Sequence, residues 1–247
     1  MTKLSVITMS VNVTSLPETL EHLDTWSRDK QGRYVCVSNV HMCIETWQDS
    51  TFQQQVNGAD WVVPDGRPIF WAQKLLGATT AQQVRGMDLT MGICDHFEKK
   101  AVNIGFYGGS ETTLNTLQSV LNQQFPNLTI SYAKSPPFRQ LTDEEHQADL
   151  KAINDANVDI LFVGLGCPKQ ERWMADNKAA LNCTMLGVGA AFDFIAGNKK
   201  HAPNWMQQAG LEWLFRLMEE PKRLWRRYLY TNPVFIVLLI KQLIFGK

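Results

Sequence analysis

Most of the sequence signatures that reveal a function at once are absent from this 247-residue chain. The five cysteines are scattered and include no Cys-x-x-Cys pair, so neither a disulfide framework nor a cysteine zinc site has support. The histidines are dispersed and no Asp-x-Asp pair occurs, and we therefore expect no metal and no cofactor. Dinucleotide-binding, P-loop and Gly-x-Ser-x-Gly motifs are also missing, which argues against nicotinamide, ATP-hydrolysing and serine-hydrolase chemistry.

An excess of charge of one sign is missing as well. Lysine plus arginine number 24 and so do aspartate plus glutamate, so the total gives no argument for a nucleic-acid partner. Residues 211–247, however, hold seven basic residues against three acidic ones, which leaves the first 210 residues at −4. This distribution indicates a soluble body with a basic tail. The free cysteines and the lack of a signal-peptide pattern predict a cytoplasmic location.

Short apolar runs alternate with longer amphipathic stretches through most of the chain. The predicted strands are LSVITMSV, RYVCVSN, DWVVPDG, VNIGFYGG, LTISYA, VDILFVGLG and CTMLGVG. Apolar strands separated by helices predict an α/β fold with a Rossmann-like, mostly parallel sheet covered by helices on both faces. We expect this domain over residues 1–203 and a helical appendage over residues 204–247. Ligands of such folds bind outside the carboxyl ends of the strands.

The predicted strand ends are rich in glycine and polar residues. Asp65, between Pro64 and Gly66, is either a carboxylate with a tuned pKa or ordinary turn chemistry. The segment GLGCPKQE, with Lys169 and Gln170, suits an anion at a helix start or is a plain tight turn. The FYGGS turn, which contains Gly108, has the same pattern and the same two interpretations.

The tail combines basic, aromatic and aliphatic residues. Its apolar segment, 234–245, would be about 18 Å long as a helix, and we expect it to be too short to span a membrane. The cluster at 222, 223, 226 and 227 suits the headgroup region of an anionic membrane. The alternative is a helix pair packed on the body or on a second subunit of a homo-oligomer. Pro221 and Pro233 are each predicted to end or kink a helix.

Taken together, the turns resemble those of one family. The ordered matches are ADWVVPDGRP, VRGMDL, IGFYGGS, SPPFR, ILFVGLGCPKQERWM, LGVGAAFDFIAGNKKHAPNWMQQAGLEWLFRL and EPKRLWRRYL. They resemble the WecB/TagA/CpsF glycosyltransferases, and most closely the exopolysaccharide branch. The resemblance implies metal-independent, inverting transfer of a hexose or N-acetylhexosamine-type sugar. It also implies a UDP-sugar donor and a polyprenyl-diphosphate-linked sugar acceptor, at the inner face of the plasma membrane, with the chain bound peripherally.

The resemblance also implies roles for individual residues. Asp65 corresponds to the proposed general base, and the tail arginines Arg223 and Arg226 would offset charge on the leaving diphosphate. Many members have Thr-Pro-Asn where this chain has Val37-Ser38-Asn39, so Ser38 is the substitute for the hydroxyl residue. The expected substrate-binding residues are Ser38, Asn39, Arg85, Gly108, Lys169, Gln170, Asp193 and Arg216.

Two other functions compete with this one. A non-catalytic UDP-sugar-binding scaffold subunit of a polysaccharide assembly complex would bind UDP without turnover, and the presence of Asp65 favours the enzyme over it. A soluble nucleotide-sugar-modifying enzyme is disfavoured by the missing dinucleotide fingerprint and by the basic, aromatic tail.

Overall fold

The computed structural model describes residues 2–246, so Lys247, counted above among the basic residues of the tail, lies outside the described residues. The strands are β1 (Lys3–Val6), β2 (Met9–Asn12), β3 (Arg33–Ser38), β4 (Trp61–Pro64), β5 (Asn103–Gly108), β6 (Thr129–Lys134), β7 (Ile160–Gly164) and β8 (Thr184–Gly187). The helices are α1 (Leu16–Trp26), α2 (Val40–Gln48), α3 (Ser50–Asn57), α4 (Arg67–Leu75), α5 (Gly86–Phe97), α6 (Glu111–Gln124), α7 (Asp143–Asp155), α8 (Lys169–Asn177), α9 (Ala191–Ile195), α10 (Asn204–Gln208), α11 (Glu212–Glu219) and α12 (Pro221–Phe245).

Six strands form one sheet in the order β4-β3-β8-β7-β5-β6. The pairs β3–β8, β8–β7, β7–β5 and β5–β6 are parallel. Four successive residues of β7, from Ile160 to Val163, are completely buried, and because successive side chains point to opposite faces, both faces of this strand are covered. The predicted α/β fold with a mostly parallel sheet is therefore confirmed.

The strand ends of this sheet are aligned by its register. Gly108, the last residue of β5, pairs with Gly164, the last residue of β7. Gly187, the last residue of β8, pairs with Val163. The turns that follow these three strands therefore begin at nearly the same level of the sheet.

The prediction of a single strand over LSVITMSV is wrong. This stretch forms β1 and β2, an antiparallel hairpin in a sheet of its own, with Val6 paired to Met9. Ile7, at the turn, has a φ of 60°, a left-handed conformation that a β-branched residue rarely adopts. Its N–H donates to Oε1 of Gln242 at 2.8 Å, so a residue far along the chain holds the turn. No glycine or proline in the sequence marks it.

Helix ends follow local chemistry. A capping box starts α7: the Thr142 side chain accepts the N–H of Glu145, and the Glu145 side chain accepts the N–H of Thr142. Asp49 separates α2 from α3, because its carboxylate accepts the N–H groups of Thr51 and Phe52 and so starts a new helix.

Residue contacts divide the chain into two compact units. The first unit comprises Met1–Ser15, Val37–Arg85 and Lys200–Lys247, and the second comprises Leu16–Cys36 and Gly86–Lys199. The division into residues 1–203 and 204–247 expected from the sequence remains a prediction.

The tail, within the first unit, is helical. Pro221 ends one helix and begins the next, as predicted, but Pro233 lies inside a continuous helix of 25 residues. Pro233 and Leu229 are both exposed, so water can take the hydrogen bond that the carbonyl of residue 229 loses. The length argument against spanning is also wrong. By length and composition alone α12, at about 37 Å, could cross a membrane, and 17% of its apolar window is buried.

Candidate active site

Two turns of the first unit are joined around Ser38. The backbone N–H groups of Asp65 and Gly66 both donate to the carbonyl of Ser38 at 3.0 Å. The Ser38 hydroxyl is buried and donates to the carbonyl of Val63 at 2.7 Å. These bonds fasten the turn after β4 to the end of β3, so the structure brings Ser38, Asn39 and Asp65 together.

Asn39 and Gly66 explain why the two turns fit so closely. Oδ1 of Asn39 accepts the N–H of Met42 at 3.1 Å and caps α2. A Cβ on Gly66 would lie 3.3 Å from both Cα and Cβ of Asn39, so only glycine allows this approach without a shift. The half-buried Asp65 carboxyl group is consequently presented on a short, well-anchored turn.

The segment that leads to Arg85 runs beside the Asp65 turn. The N–H of Val84 donates to the carbonyl of Pro64 at 2.9 Å, and Nε2 of Gln83 donates to the carbonyl of Asp65 at 2.6 Å. Nη1 of Arg85 donates to Oε1 of Gln207 at 2.5 Å. Arg85 therefore lies on the same unit as Asp65, joined to α10.

In the second unit, Gly108 lies where two strand ends touch. Its φ is 118°, and a Cβ at this position would lie 2.6 Å from the carbonyl carbon and oxygen of Gly164. A Cβ on Gly164 would in turn lie 2.5 Å from the ring of Phe192. These glycines permit the approach of two backbone turns, which gives Gly108 a structural reason to be glycine.

Gln170, predicted to bind substrate, is buried between the turns that follow β7 and β8. Its Oε1 accepts the N–H of Gly166 at 3.1 Å, and its Nε2 donates to Oε1 of Glu171 at 2.7 Å. A Cβ on Gly187 would lie 3.0 Å from Nε2. One N–H and one lone pair of the amide are left for a further partner.

Glu171 is completely buried behind Gln170. Burial raises the pKa of its carboxyl group to about 7, against the opposing hydrogen bonds from Gln170 and from Cys167. Sequence patterns assign no role to Glu171, although it stands in the PKQE segment beside a predicted site residue.

The other predicted residues of the second unit differ in exposure. Lys169 is exposed at the start of α8, and Asp193 is half-buried on α9 with its carboxylate 3.2 Å from Nζ of Lys199. Within residues 2–246 no group of three or more His, Cys, Asp or Glu side chains is arranged to hold a metal ion.

The predicted tail arginines lie on two helices of the first unit. Arg216 is half-buried on α11, whereas Arg223 and Arg226 are exposed near the start of α12. Arg223 pairs with Glu220 through its Nε at 2.9 Å, and the guanidinium of Arg226 lies over the ring of Trp225. Their assignment to catalysis remains a prediction.

Comparison with known proteins identifies the family of this chain. Residues 4–247 match the sequence model of the family described as "Glycosyl transferase WecG/TagA/CpsF family". Similar proteins named N-acetylglucosaminyldiphosphoundecaprenol N-acetyl-beta-D-mannosaminyltransferase occur in Bacillus spizizenii strain W23, Bacillus subtilis strain 168 and Staphylococcus aureus strain MW2. They are 28%, 26% and 25% identical to this chain, covering 90%, 94% and 97% of it and 84%, 87% and 92% of their own lengths. The chain therefore belongs to the WecG/TagA/CpsF family of glycosyltransferases.

Proposed function

We propose that this chain transfers a hexose or N-acetylhexosamine-type sugar from a UDP-sugar to a polyprenyl-diphosphate-linked sugar. The setting would be bacterial surface or exopolysaccharide synthesis. The name of these relatives specifies a sugar carried on diphosphoundecaprenol as their acceptor, which supports an acceptor of this class. The observation that carries the proposal is the half-buried carboxyl group of Asp65 on the turn anchored to Ser38.

The chemistry proceeds as one displacement. The Asp65 carboxylate takes the proton of an acceptor sugar hydroxyl while that oxygen forms a bond to the anomeric carbon of the donor. The bond between the anomeric carbon and the diphosphate oxygen breaks, and UDP leaves with the electron pair. Attack from the face opposite the leaving group inverts the configuration at the anomeric carbon.

Charge then accumulates on the departing diphosphate. The glycine turns after β5, β7 and β8 would receive the UDP-sugar, since ligands of parallel α/β sheets bind outside the carboxyl ends of the strands. Arg216, Arg223 and Arg226 would offset the growing charge, with no metal or other cofactor required.

The tail supports a location on the inner face of the plasma membrane. Exposed apolar side chains cover one side of α12, among them Leu229, Ile236 and Ile240. Basic residues in its first two turns would meet anionic headgroups. Gln242 donates to the carbonyl of Ser5 and accepts from Ile7, so the distal part of α12 is fastened to the β1–β2 hairpin, as suits a peripheral helix better than a spanning one.

Replacing Asp65 by asparagine tests the proposal. The amide has the same shape but cannot accept the proton, so we expect turnover to fall by about 10²-fold or more while UDP affinity is retained. Asp60→Asn, the same change at the other end of β4, is the matched control and should keep its turnover. Activity is measured by mass spectrometry with a short-chain prenyl-diphosphate sugar, and UDP binding by calorimetry.

The outcomes separate the competing functions. If Asp65→Asn retains more than about a tenth of wild-type turnover, Asp65 is not the base. UDP binding by the wild-type chain without turnover on any lipid-linked acceptor would instead favour a scaffold subunit.

A further inference from the structure

A small polar cavity lies beside Asp65 in the first unit. Its volume is about 180 Å³, below the roughly 300–1,000 Å³ of pockets that enclose a whole drug-sized ligand, so it suits one chemical group of a substrate. The lining is made of two arginines, Arg67 and Arg85, together with amide side chains and the carboxylate of Glu212.

Neutral amide oxygens accept hydrogen bonds from both guanidinium groups. Oε1 of Gln83 accepts from Nη1 of Arg67 at 2.9 Å, and Nε2 of the same amide donates to the Asp65 carbonyl. Gln207 repeats this arrangement, with Oε1 toward Arg85 and Nε2 donating to the carbonyl of Ala202 at 2.6 Å. Because each amide nitrogen is occupied by a carbonyl, each amide oxygen must face its arginine, so Gln83 positions the Arg67 guanidinium without neutralising it.

The lining still has a net positive charge, because two arginines stand against one carboxylate, Glu212. Glu212 lies 3.7 Å from Nη2 of Arg85, and among residues 2–246 Arg67 has no ion-pair partner. Arg67 uses its Nε for the carbonyl of Gln208 and one Nη1 hydrogen for Gln83, which leaves three N–H groups. A planar group of donors with uncompensated charge matches phosphate oxygens.

We infer that this cavity is an anion-binding subsite that holds the diphosphate of the lipid-linked acceptor, with Arg67 as its main ligand. The inference rests on the proposed function, in which the acceptor hydroxyl gives its proton to Asp65. Gln83 connects the subsite directly to the Asp65 backbone, so the group bound here belongs to the substrate that the base activates. The first unit also carries the exposed apolar side chains of α12, which suit the prenyl chain of the same substrate.

Equilibrium binding without donor tests the subsite independently of turnover. A short-chain prenyl-diphosphate sugar and UDP are titrated separately into wild type, Arg67→Gln and Arg67→Lys. The control Lys74→Gln removes one positive charge from the same helix outside the cavity. We expect Arg67→Gln to weaken acceptor binding about tenfold or more and Arg67→Lys to weaken it less, with UDP affinity unchanged within about twofold.

A prenyl glycoside without the diphosphate identifies the group that is bound. Its affinity should be the same in wild type and Arg67→Gln. If the analogue loses as much affinity as the diphosphate acceptor, Arg67 only maintains the shape of the cavity. If the variant loses UDP affinity instead, the subsite belongs to the donor. Either result overturns the inference, as does an unchanged affinity for the acceptor. Circular dichroism confirms that the variants fold. Whether Asp65 is the base is decided by the turnover of Asp65→Asn, whereas the subsite is decided by the binding of the Arg67 variants. The two proposals can therefore fail independently.

Discussion

Glu171 is removed from water entirely when the chain folds, and its titration therefore becomes part of the stability of the protein. Its pKa rises from 4.5 to about 7 because burial disfavours the charged carboxylate. Well below pH 4.5 the group is protonated in both the folded and the unfolded state. As the pH rises from there to about 7, the unfolded chain releases the proton first, so the free energy of unfolding falls across this window.

Glu171→Gln removes this titration and keeps the shape of the side chain. We expect the unfolding free energy of the variant minus that of wild type to increase between about pH 5 and about pH 8. The increase is up to about 3 kcal/mol, the value that corresponds to the rise in pKa. Urea unfolding of both proteins at several pH values measures it. Other titrating groups are shared and cancel in the difference, so a difference that does not change with pH would contradict the prediction.

At the scale of residues, what the sequence predicts well is what neighbouring residues decide. The capping box at the start of α7 is predictable because Thr142 and Glu145 lie within one turn of the same helix. The partners of the arginines are not decided by neighbouring residues. Gln83 donates to the carbonyl of Asp65, 18 positions away, and Gln207 accepts from Arg85, 122 positions away. No local pattern in the sequence marks a glutamine for that role.

Among the elements, α12 has two faces of different character. At about 100° per residue, Leu224, Thr231, Phe235 and Gln242 fall within about 20° of one line along the helix. The first three are buried, and Gln242 bonds to the β1–β2 hairpin. The exposed apolar residues lie on the opposite side, so the helix both packs on its own unit, against α2, and presents an apolar stripe.

The stripe predicts how membrane binding can be separated from folding. Ile236→Glu with Ile240→Glu places two charges on the exposed face and leaves Phe235 in its packing, so binding to anionic liposomes should fall at least about tenfold. Turnover on a soluble short-chain acceptor should be retained. Liposome pelleting and soluble-acceptor kinetics measure the two effects. Unchanged pelleting would show that α12 does not contact the membrane.

The arginines at the start of α12 predict an effect on turnover itself. Arg223→Ala with Arg226→Ala should lower turnover on the soluble acceptor, because the lost interaction is with charge that grows on the leaving diphosphate. A fall of about tenfold or more is expected, with kcat affected more than KM. Lys241→Ala, a basic residue far along the same helix, serves as the control. If the double variant loses only liposome binding, these arginines contact the membrane alone.

The elements also show where sequence patterns mislead. The hairpin at Ile7 is held by Gln242, from the other end of the chain, so a local reading finds only one apolar strand. Pro233 interrupts backbone hydrogen bonding without ending α12, because packing of Phe235 and Thr231 supports the helix on the other side. The sheet was predictable because most of its strands are apolar and alternate with helices.

Over the part of the molecule that the structure describes, no group of three or more His, Cys, Asp or Glu side chains is arranged to hold a metal ion. We therefore expect transfer to proceed in excess EDTA, with arginine and backbone donors meeting the charge of the diphosphate. Assays with chelator, followed by added Mg²⁺ or Mn²⁺, measure this. Strict dependence on Mn²⁺ would overturn both the metal-independent mechanism and the role of the tail arginines.

The first unit is built from separate stretches of the chain, and this affects its folding during synthesis. Its three stretches are separated along the chain, whereas residues 86–199 of the second unit are continuous and leave the ribosome before residues 200–247. The nascent chain therefore carries the Asp65 turn long before Gln207 and Gln208 can reach Arg85 and Arg67. The stretch that supplies these two glutamines also supplies α12. During translation, the contacts of Arg67 and Arg85 with residues 207 and 208 therefore form only when the stretch that carries the apolar helix is also made. A nascent chain that ends before residue 200 has neither these contacts nor the helix.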